Sequence, residues 1–95
     1  MITTSNIPAE GDREIREMLL SVLRSLVNHP DVVEIVLLTY PEGSIFCIHA
    51  HPGDVSKLIG NGGKTARALQ CIVGASGRKL GRRLTLDIVP GAARL

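Results

Sequence analysis

A short glycine-rich run between two helix-like segments constrains this chain more than any other feature. Residues 58–65 are Leu-Ile-Gly-Asn-Gly-Gly-Lys-Thr, so three of the four residues that connect the helices are glycines. Glycine permits positive φ and lets the backbone approach another molecule closely. The N–H groups of Gly62, Gly63 and Lys64 can therefore converge where the second helix begins, and the helix dipole and the Lys64 charge favour an anion there. The run predicts a phosphate site, with Lys57 flanking the same cleft.

Two familiar phosphate motifs do not fit this run. A P-loop that ends at Gly63-Lys64-Thr65 needs a glycine five positions before Gly63, where the chain has Leu58. A dinucleotide fingerprint that begins at Gly60 needs Gly or Ala at the position of Thr65. Both motifs also join a buried strand to a helix, whereas this run follows a short helix. The pattern therefore argues against an NTPase or a dehydrogenase.

Charge is distributed unevenly along the chain, although the formal net charge is only +2. Residues 1–48 contain 3 Lys and Arg against 7 Asp and Glu, for a net charge of −4, and residues 49–95 contain 8 against 2, for +6. The glycine run lies in the basic half. Such asymmetry indicates a polyanionic partner, and the alternative explanation is a solvated basic surface without a partner.

The length of 95 residues fits one small domain with a modest core. Cys47 and Cys71 lie in apolar segments without the spacing of a metal site, so we expect buried, reduced thiols. Residues 1–10 lack the basic start and the apolar stretch of a signal peptide, and no apolar run approaches the length of a membrane span. These features predict a soluble, cytoplasmic protein with no membrane partner.

Hydrophobic periodicity predicts an α+β domain over residues 12–89, between flexible tails at residues 1–11 and 90–95. Asp12 is expected to cap the first helix, and Pro52 to begin a short one. The predicted elements are a helix over residues 12–27, strands over 32–39 and 45–50 joined by a turn, helices over 52–59 and 64–79, and a strand over 83–88. The predicted inner faces comprise Ile15, Met18, Leu19, Val22, Leu23, Leu26 and Val27 in the first helix, and Leu69, Ile72, Val73, Ser76 and Leu80 in the last helix.

The Gly-x-x-Gly run between two helices, beside three predicted strands, resembles the KH domain of RNA-binding proteins. Residues 51–69 carry the resemblance, and the likeness to the small stand-alone bacterial KH proteins of the KhpA-like family extends from the first helix through Ile88. The resemblance implies a single KH domain of the type II order α-β-β-α-α-β, with a three-stranded sheet and helices packed on one face. Such loops usually carry Lys or Arg between the outer glycines, where this chain has Asn61 and Gly62.

This resemblance also implies a function and a site. A KH domain clamps about four nucleotides of single-stranded RNA, and here the bases would rest on aliphatic side chains. Tyr40 and Phe46 are the only aromatic residues, too few for the stacking platforms of other single-strand binders. The expected RNA-binding residues are Gly60, Asn61, Gly62, Gly63 and Lys64 in the loop, Val55, Lys57, Leu58 and Ile59 in the short helix, Ala66 and Arg67 in the next helix, and Ile48 or His49 in the neighbouring strand.

No catalytic or metal-binding arrangement stands out in the sequence. His49 and His51 are two residues apart, but no third ligand of suitable type and spacing accompanies them. Asp54 occupies the first turn of a predicted helix, where the dipole favours an acid, and Asp87 alternates outward on a predicted strand. We therefore expect neither an enzyme nor a cofactor or metal.

The expected partners are single-stranded RNA and a second KH domain. One groove of about four nucleotides binds weakly, and linking two grooves raises the apparent affinity. The resemblance accordingly implies a homodimer or a heterodimer with another KH-containing protein. The alternative function is that of a protein-interaction adaptor with a KH fold, in which RNA contact is incidental. The sequence does not exclude single-stranded DNA as a ligand.

Overall fold

The computed structural model describes residues 10–89 and contains three α-helices and three strands within them. Three short 3-10 turns, at Pro30–Val32, Pro52–Asp54 and Asn61–Gly63, connect these elements. The observed order α-β-β-α-α-β and the α+β class are those predicted. The elements are α1 (Glu10–Leu26), β1 (Glu34–Tyr40), β2 (Gly43–His49), α2 (Val55–Ile59), α3 (Lys64–Leu80) and β3 (Arg83–Val89).

β2 is the central strand of a three-stranded mixed sheet with the order β1-β2-β3. It is antiparallel to β1, which it follows after a two-residue turn at Pro41 and Glu42, and parallel to β3. Parallel strands need a long crossover connection, which α2 and α3 supply here. The glycine run therefore lies inside the crossover, between two helices, rather than at the end of a strand.

The core lies between the sheet and the helices. Buried positions alternate along the strands, so Phe46 and Ile48 of β2 and Leu86 of β3 are at most 4% exposed. The other face of the sheet exposes Val36 and Leu38 of β1. The helices thus pack on one face, as the resemblance implies. The remaining fully buried hydrophobic side chains are Leu19 and Leu23 of α1, Leu58 of α2 and Val73 of α3.

Asp12 does not cap the first helix, contrary to the prediction. Helix α1 begins two residues earlier, at Glu10, and Asp12 lies inside its first turn with a fully buried side chain. Its carboxylate accepts hydrogen bonds from Ser44 Oγ at 2.6 Å and from Arg82 Nε and Nη2 at 3.1 and 3.0 Å. Asp12 therefore ties α1 to β2 and to the turn before β3.

The predicted inner faces of α1 and α3 are too wide. Met18, Val22 and Leu26 of α1 are exposed, as are Ile72 and Leu80 of α3. A helix presents only about a 100° stripe to a core, whereas the predicted stripes covered more of the helix circumference. Met18, Val22 and Ile72 lie at the edges of the true stripes, whereas Leu26 and Leu80 are the last residues of their helices, and all five leave apolar surface in water.

The prediction of two buried thiols is wrong for Cys71. Cys47 is half-buried on β2, whereas Cys71 is exposed on α3, and both thiols are free. Burial, and after it the negative charge of Asp87, raises the pKa of the Cys47 thiol. Both effects penalise the thiolate form of Cys47.

Two strand boundaries differ from the prediction by two residues. Val32 lies in the 3-10 turn that Pro30 begins, so β1 starts only at Glu34. β2 starts early, at Gly43, because β3 approaches its backbone there. A Cβ at Gly43 would overlap the carbonyl group of Arg83. The N–H of Arg83 also donates to Glu42 O at 3.0 Å.

The predicted C-terminal tail and residues 1–9 of the predicted N-terminal tail lie outside the described residues. Residues 10 and 11, which the prediction assigned to the N-terminal tail, begin α1. No helix within residues 10–89 combines the length and the apolar character needed to cross a membrane.

Candidate nucleic-acid interface

The connection between α2 and α3 depends on three glycines with positive φ. Gly60, Gly62 and Gly63 have φ angles of 83°, 66° and 78°. A Cβ at Gly60 would also lie 2.7 Å from the backbone N of Thr65, because the loop folds back over the start of α3. At Gly62, by contrast, a Cβ would have no neighbour within 4 Å. Gly60 therefore closes the loop, and Gly62 forms its open tip.

The predicted convergence of three N–H groups is wrong for two of them. The Gly63 N–H donates to Gly60 O at 3.0 Å, and the Lys64 N–H donates to Asn61 O. The N–H groups of Asn61 and Gly62 lie in the first turn of the 3-10 segment, where the helix itself offers no acceptor. Both residues are exposed, so the donors that remain for an anion are at the tip rather than inside the turn.

Three exposed cationic side chains surround this loop. Lys57 precedes it, Lys64 begins α3, and Arg67 lies one turn further along. A Cβ at Gly63 would lie 3.1 Å from Arg67 Nη1, which shows that the guanidinium group extends across that glycine. Among the side chains of residues 11–89, no carboxylate forms an ion pair with any of these three cations. Their charges are therefore available to an anionic ligand.

The apolar side of the site is smaller than predicted. Ile59 is 39% exposed immediately before the loop, and Val55 is half-buried one turn earlier. Leu58, however, is fully buried, and so is Ile48 of β2. These two side chains belong to the core, so they can support the surface but not contact a base. His49 remains half-buried at the end of β2.

A cluster that the sequence analysis missed anchors the start of α2. The buried Asp54 carboxylate accepts hydrogen bonds from the N–H groups of Asn28 at 3.2 Å and His29 at 2.9 Å, and its Oδ2 lies 2.9 Å from His29 Nδ1. The His51 ring stacks on His29, with centroids 3.8 Å apart, and its Nδ1 accepts from the Gly53 N–H at 2.9 Å. The cluster fixes α2, and with it the loop, against the end of α1.

The charge on Asp54 follows from its partners. Burial raises the pKa of this carboxyl group, but the hydrogen bonds from His29 and Asn28, with the charge of His29, outweigh burial and lower the pKa below its ordinary value. The one sequence signal for this cluster is a repeated His-Pro pair, His29-Pro30 and His51-Pro52, each of which begins a 3-10 turn.

Comparison with known proteins identifies the family. The family model described as the KH domain of KhpA and KhpB matches residues 16–88. The chain belongs to the KhpA/KhpB KH-domain family. This match confirms the resemblance inferred from the glycine run and the element order, and the family is non-enzymatic, as predicted.

Relatives in several bacteria are similar over most of their own length. The chain is 36% identical over 75 residues to the RNA-binding protein KhpA of Streptomyces coelicolor, which covers 79% of this chain and 91% of the relative. It is 40% identical over 68 residues to that of Mycobacterium bovis, covering 72% and 81%. For Halalkalibacterium halodurans the identity is 35% over 77 residues, covering 79% and 99%. No solved structure is a significant match to the chain.

Proposed function

We propose that this KH domain binds single-stranded RNA, with the loop from Gly60 to Gly63 holding the sugar-phosphate backbone of about four nucleotides. The observation that carries the proposal is an exposed positive-φ loop whose three neighbouring cations, Lys57, Lys64 and Arg67, have no acidic partner in the described part of the chain. The relatives named RNA-binding protein KhpA support the same ligand.

In the proposed complex, a phosphate sits at the tip of the loop. The N–H groups of Asn61 and Gly62 donate to its oxygens, and Lys64 and Arg67 supply positive charge. The N-terminus of α3, a helix of 17 residues, adds a partial positive charge at the same place. Because residue 62 has no side chain and open space around it, the phosphate can reach the backbone directly.

The bases rest on the apolar surface beside the loop. Ile59 offers the exposed aliphatic contact, and half-buried Val55 extends it by one turn. A contact of this kind depends on shape and apolar area rather than on hydrogen bonds to base edges, so we expect limited sequence selectivity. Lys57 contacts the backbone of the same strand.

A variant of the loop tip tests this proposal. Asn61→Asp combined with Gly62→Asp places two negative charges where the phosphate binds, and neither position packs against the core, so the fold should persist. Titration with a labelled mixed-sequence RNA should show loss of detectable binding, with an unchanged circular dichroism spectrum. A single-stranded DNA of the same length shows whether the 2′-OH contributes.

The matched control adds the same two charges elsewhere. Ser21→Asp combined with Ser25→Asp changes two exposed positions of α1, so a long-range charge effect would weaken RNA binding there as well. We expect the control to bind like the parent protein. If the folded loop variant binds RNA as tightly as the control, the loop is not the phosphate site.

The proposal includes assembly into a homodimer through the open face of the sheet. Val36, Leu38 and Tyr40 are 41%, 41% and 46% exposed on this face. A two-fold axis across this face would place it against the same face of a second copy and cover these apolar side chains.

Light scattering across a concentration series tests the dimer. Val36→Glu should shift the protein to monomer, whereas Val32→Glu, which alters an exposed valine in a turn outside the sheet, should not. A parent protein that is monomeric at every concentration contradicts the homodimer. A complex formed only with a second KH-containing protein supports the heterodimer instead.

The open sheet face also favours a second candidate function, that of a protein-interaction adaptor. The lack of Lys or Arg at residues 61 and 62 is a further argument for it. The adaptor function predicts a stable protein complex and no measurable affinity for short RNA. The RNA titration and the size measurement together distinguish the two functions.

A further inference from the structure

Arg67 and Arg78 of α3 each lie against a glycine in the same way. A Cβ at Gly63 would lie 3.1 Å from Arg67 Nη1, and a Cβ at Gly74 would lie 3.8 Å from Arg78 Nη1. Each guanidinium thus extends over a glycine four residues earlier, toward the N-terminus of the helix. Positions separated by 11 residues differ by about 20° in direction and about 16 Å along an α-helix. Both guanidinium groups therefore lie on one side of α3.

This side of α3 is positively charged. The helix contains no Asp or Glu, and within residues 11–89 neither Arg67 nor Arg78 forms an ion pair. Between the two arginines, the exposed residues nearest this side are Cys71 and Ala75, which are small, and Gln70, whose amide turns toward β3 and donates to Leu86 O at 3.4 Å. A chain that lies along the helix meets no bulky side chain between the two positive groups.

The far end of this surface is a pocket of about 430 Å³. Arg82 contributes to its wall, but Asp12 binds the Arg82 guanidinium through both carboxylate oxygens. Arg78 and Arg83, the other two cations of the pocket, have no ion-pair partner among the side chains of residues 11–89. Its shape is fixed by the Arg82 network and by the helix end, where the Arg82 N–H donates to Gly77 O at 2.9 Å. The pocket is lined by Gly74, Arg78, Gly81, Arg82, Arg83 and Leu84.

We propose that the outer side of α3 is a second anchoring track for the sugar-phosphate backbone, which ends in the Arg78–Arg83 pocket and is used only by RNA longer than the loop holds. The inference rests on the proposed function and extends its ligand from a short segment to a longer strand. Lys64 and Arg67 lie where the loop site and the track meet, because they contact the loop phosphate and begin the track. Helix α3 contributes no acidic residue to this side, and Cys71 and Ala75 between the arginines are small.

Length-dependent titration tests the track. The double variant Arg78→Ala with Arg83→Ala should bind an RNA of about four nucleotides like the parent protein. It should bind an RNA of about twelve nucleotides at least fivefold more weakly than the parent protein does. A length of about twelve nucleotides is within the range of site sizes of single-strand binders. Since two phosphate contacts are lost, the slope of log affinity against log salt for the long RNA should become shallower by about 1.4.

Two further variants exclude trivial explanations. Arg24→Ala removes an exposed arginine from α1 and should leave the binding of both RNAs unchanged. Arg78→Lys combined with Arg83→Lys keeps both charges and should restore most of the affinity for the long RNA. If the Ala double variant loses the same affinity for both RNA lengths, or loses none for either, the track is overturned. A parent protein that does not bind the short RNA contradicts the loop proposal instead, so the two failures are distinguishable.

Discussion

The two ends of α3 are built from the same residue types, but a buried acid fixes only one of them. Each end has a glycine in the left-handed region, Gly63 with φ 78° and Gly81 with φ 72°, and each has an adjacent basic residue. At the first end, Lys64 has no carboxylate partner within the described side chains, whereas at the second end Arg82 is bound by buried Asp12. The nearby acid, rather than the glycine or the cation, decides which end is structural.

The two ends also differ in whether a substitution is expected to affect the stability of the fold. Asp12 is fully buried and needs the Arg82 and Ser44 hydrogen bonds in every folded molecule, because an unpaired buried carboxylate is strongly unfavourable. The loop at the first end buries no charged group, so changes there should affect a ligand before they affect the fold.

The largest effect should follow from breaking the structural end. Arg82→Ala leaves Asp12 buried without its cation, so we expect the free energy of unfolding to fall by about 3 kcal/mol. Arg83→Ala removes the neighbouring exposed arginine and should change it by less than about 0.5 kcal/mol. Urea denaturation of both variants measures the two values. Equal effects would mean that Arg82 is no more structural than its neighbour.

Alanine substitutions within the loop should have smaller, unequal effects. Gly60→Ala introduces a Cβ at φ 83° that clashes with Thr65, and should cost about 2 to 3 kcal/mol of stability. Gly62→Ala at φ 66° meets no neighbour and should cost about 1 kcal/mol. Thermal or urea unfolding compares them directly. If Gly62→Ala is the more damaging change, the tip is not open.

The sequence predicts the elements and the loop well because both depend on local chemistry. The glycine spacing at residues 60–63 and the hydrophobic periodicity of the helices and strands are sufficient to predict the loop and the elements. The family resemblance predicts how the elements are arranged. The Asp12–Arg82 pair joins residues 70 positions apart, and no local pattern relates them. The exposure of Ile72 and the burial of Leu58 likewise depend on how each helix is oriented against the sheet.

A smaller, pH-dependent effect should come from the other buried carboxylate. Because the pKa of Asp54 is lower in the folded than in the unfolded protein, its contribution to stability is present above the unfolded pKa, about 3.9, and is lost as pH falls through the folded value. The free energy of unfolding of the parent should therefore decrease below about pH 4 more steeply than that of Asp54→Asn. Identical acid profiles of the two proteins would contradict the pKa shift.

The salt dependence of RNA binding tests the phosphate contact at the loop most directly. In a titration series over salt concentration, Lys64→Ala should make the slope of log affinity against log salt shallower by about 0.7, because one phosphate contact is lost. Ile59→Ala should weaken binding by about 1 kcal/mol with an unchanged slope, since it removes apolar surface only. A folded Lys64→Ala protein with the slope of the parent would contradict a phosphate contact at the start of α3.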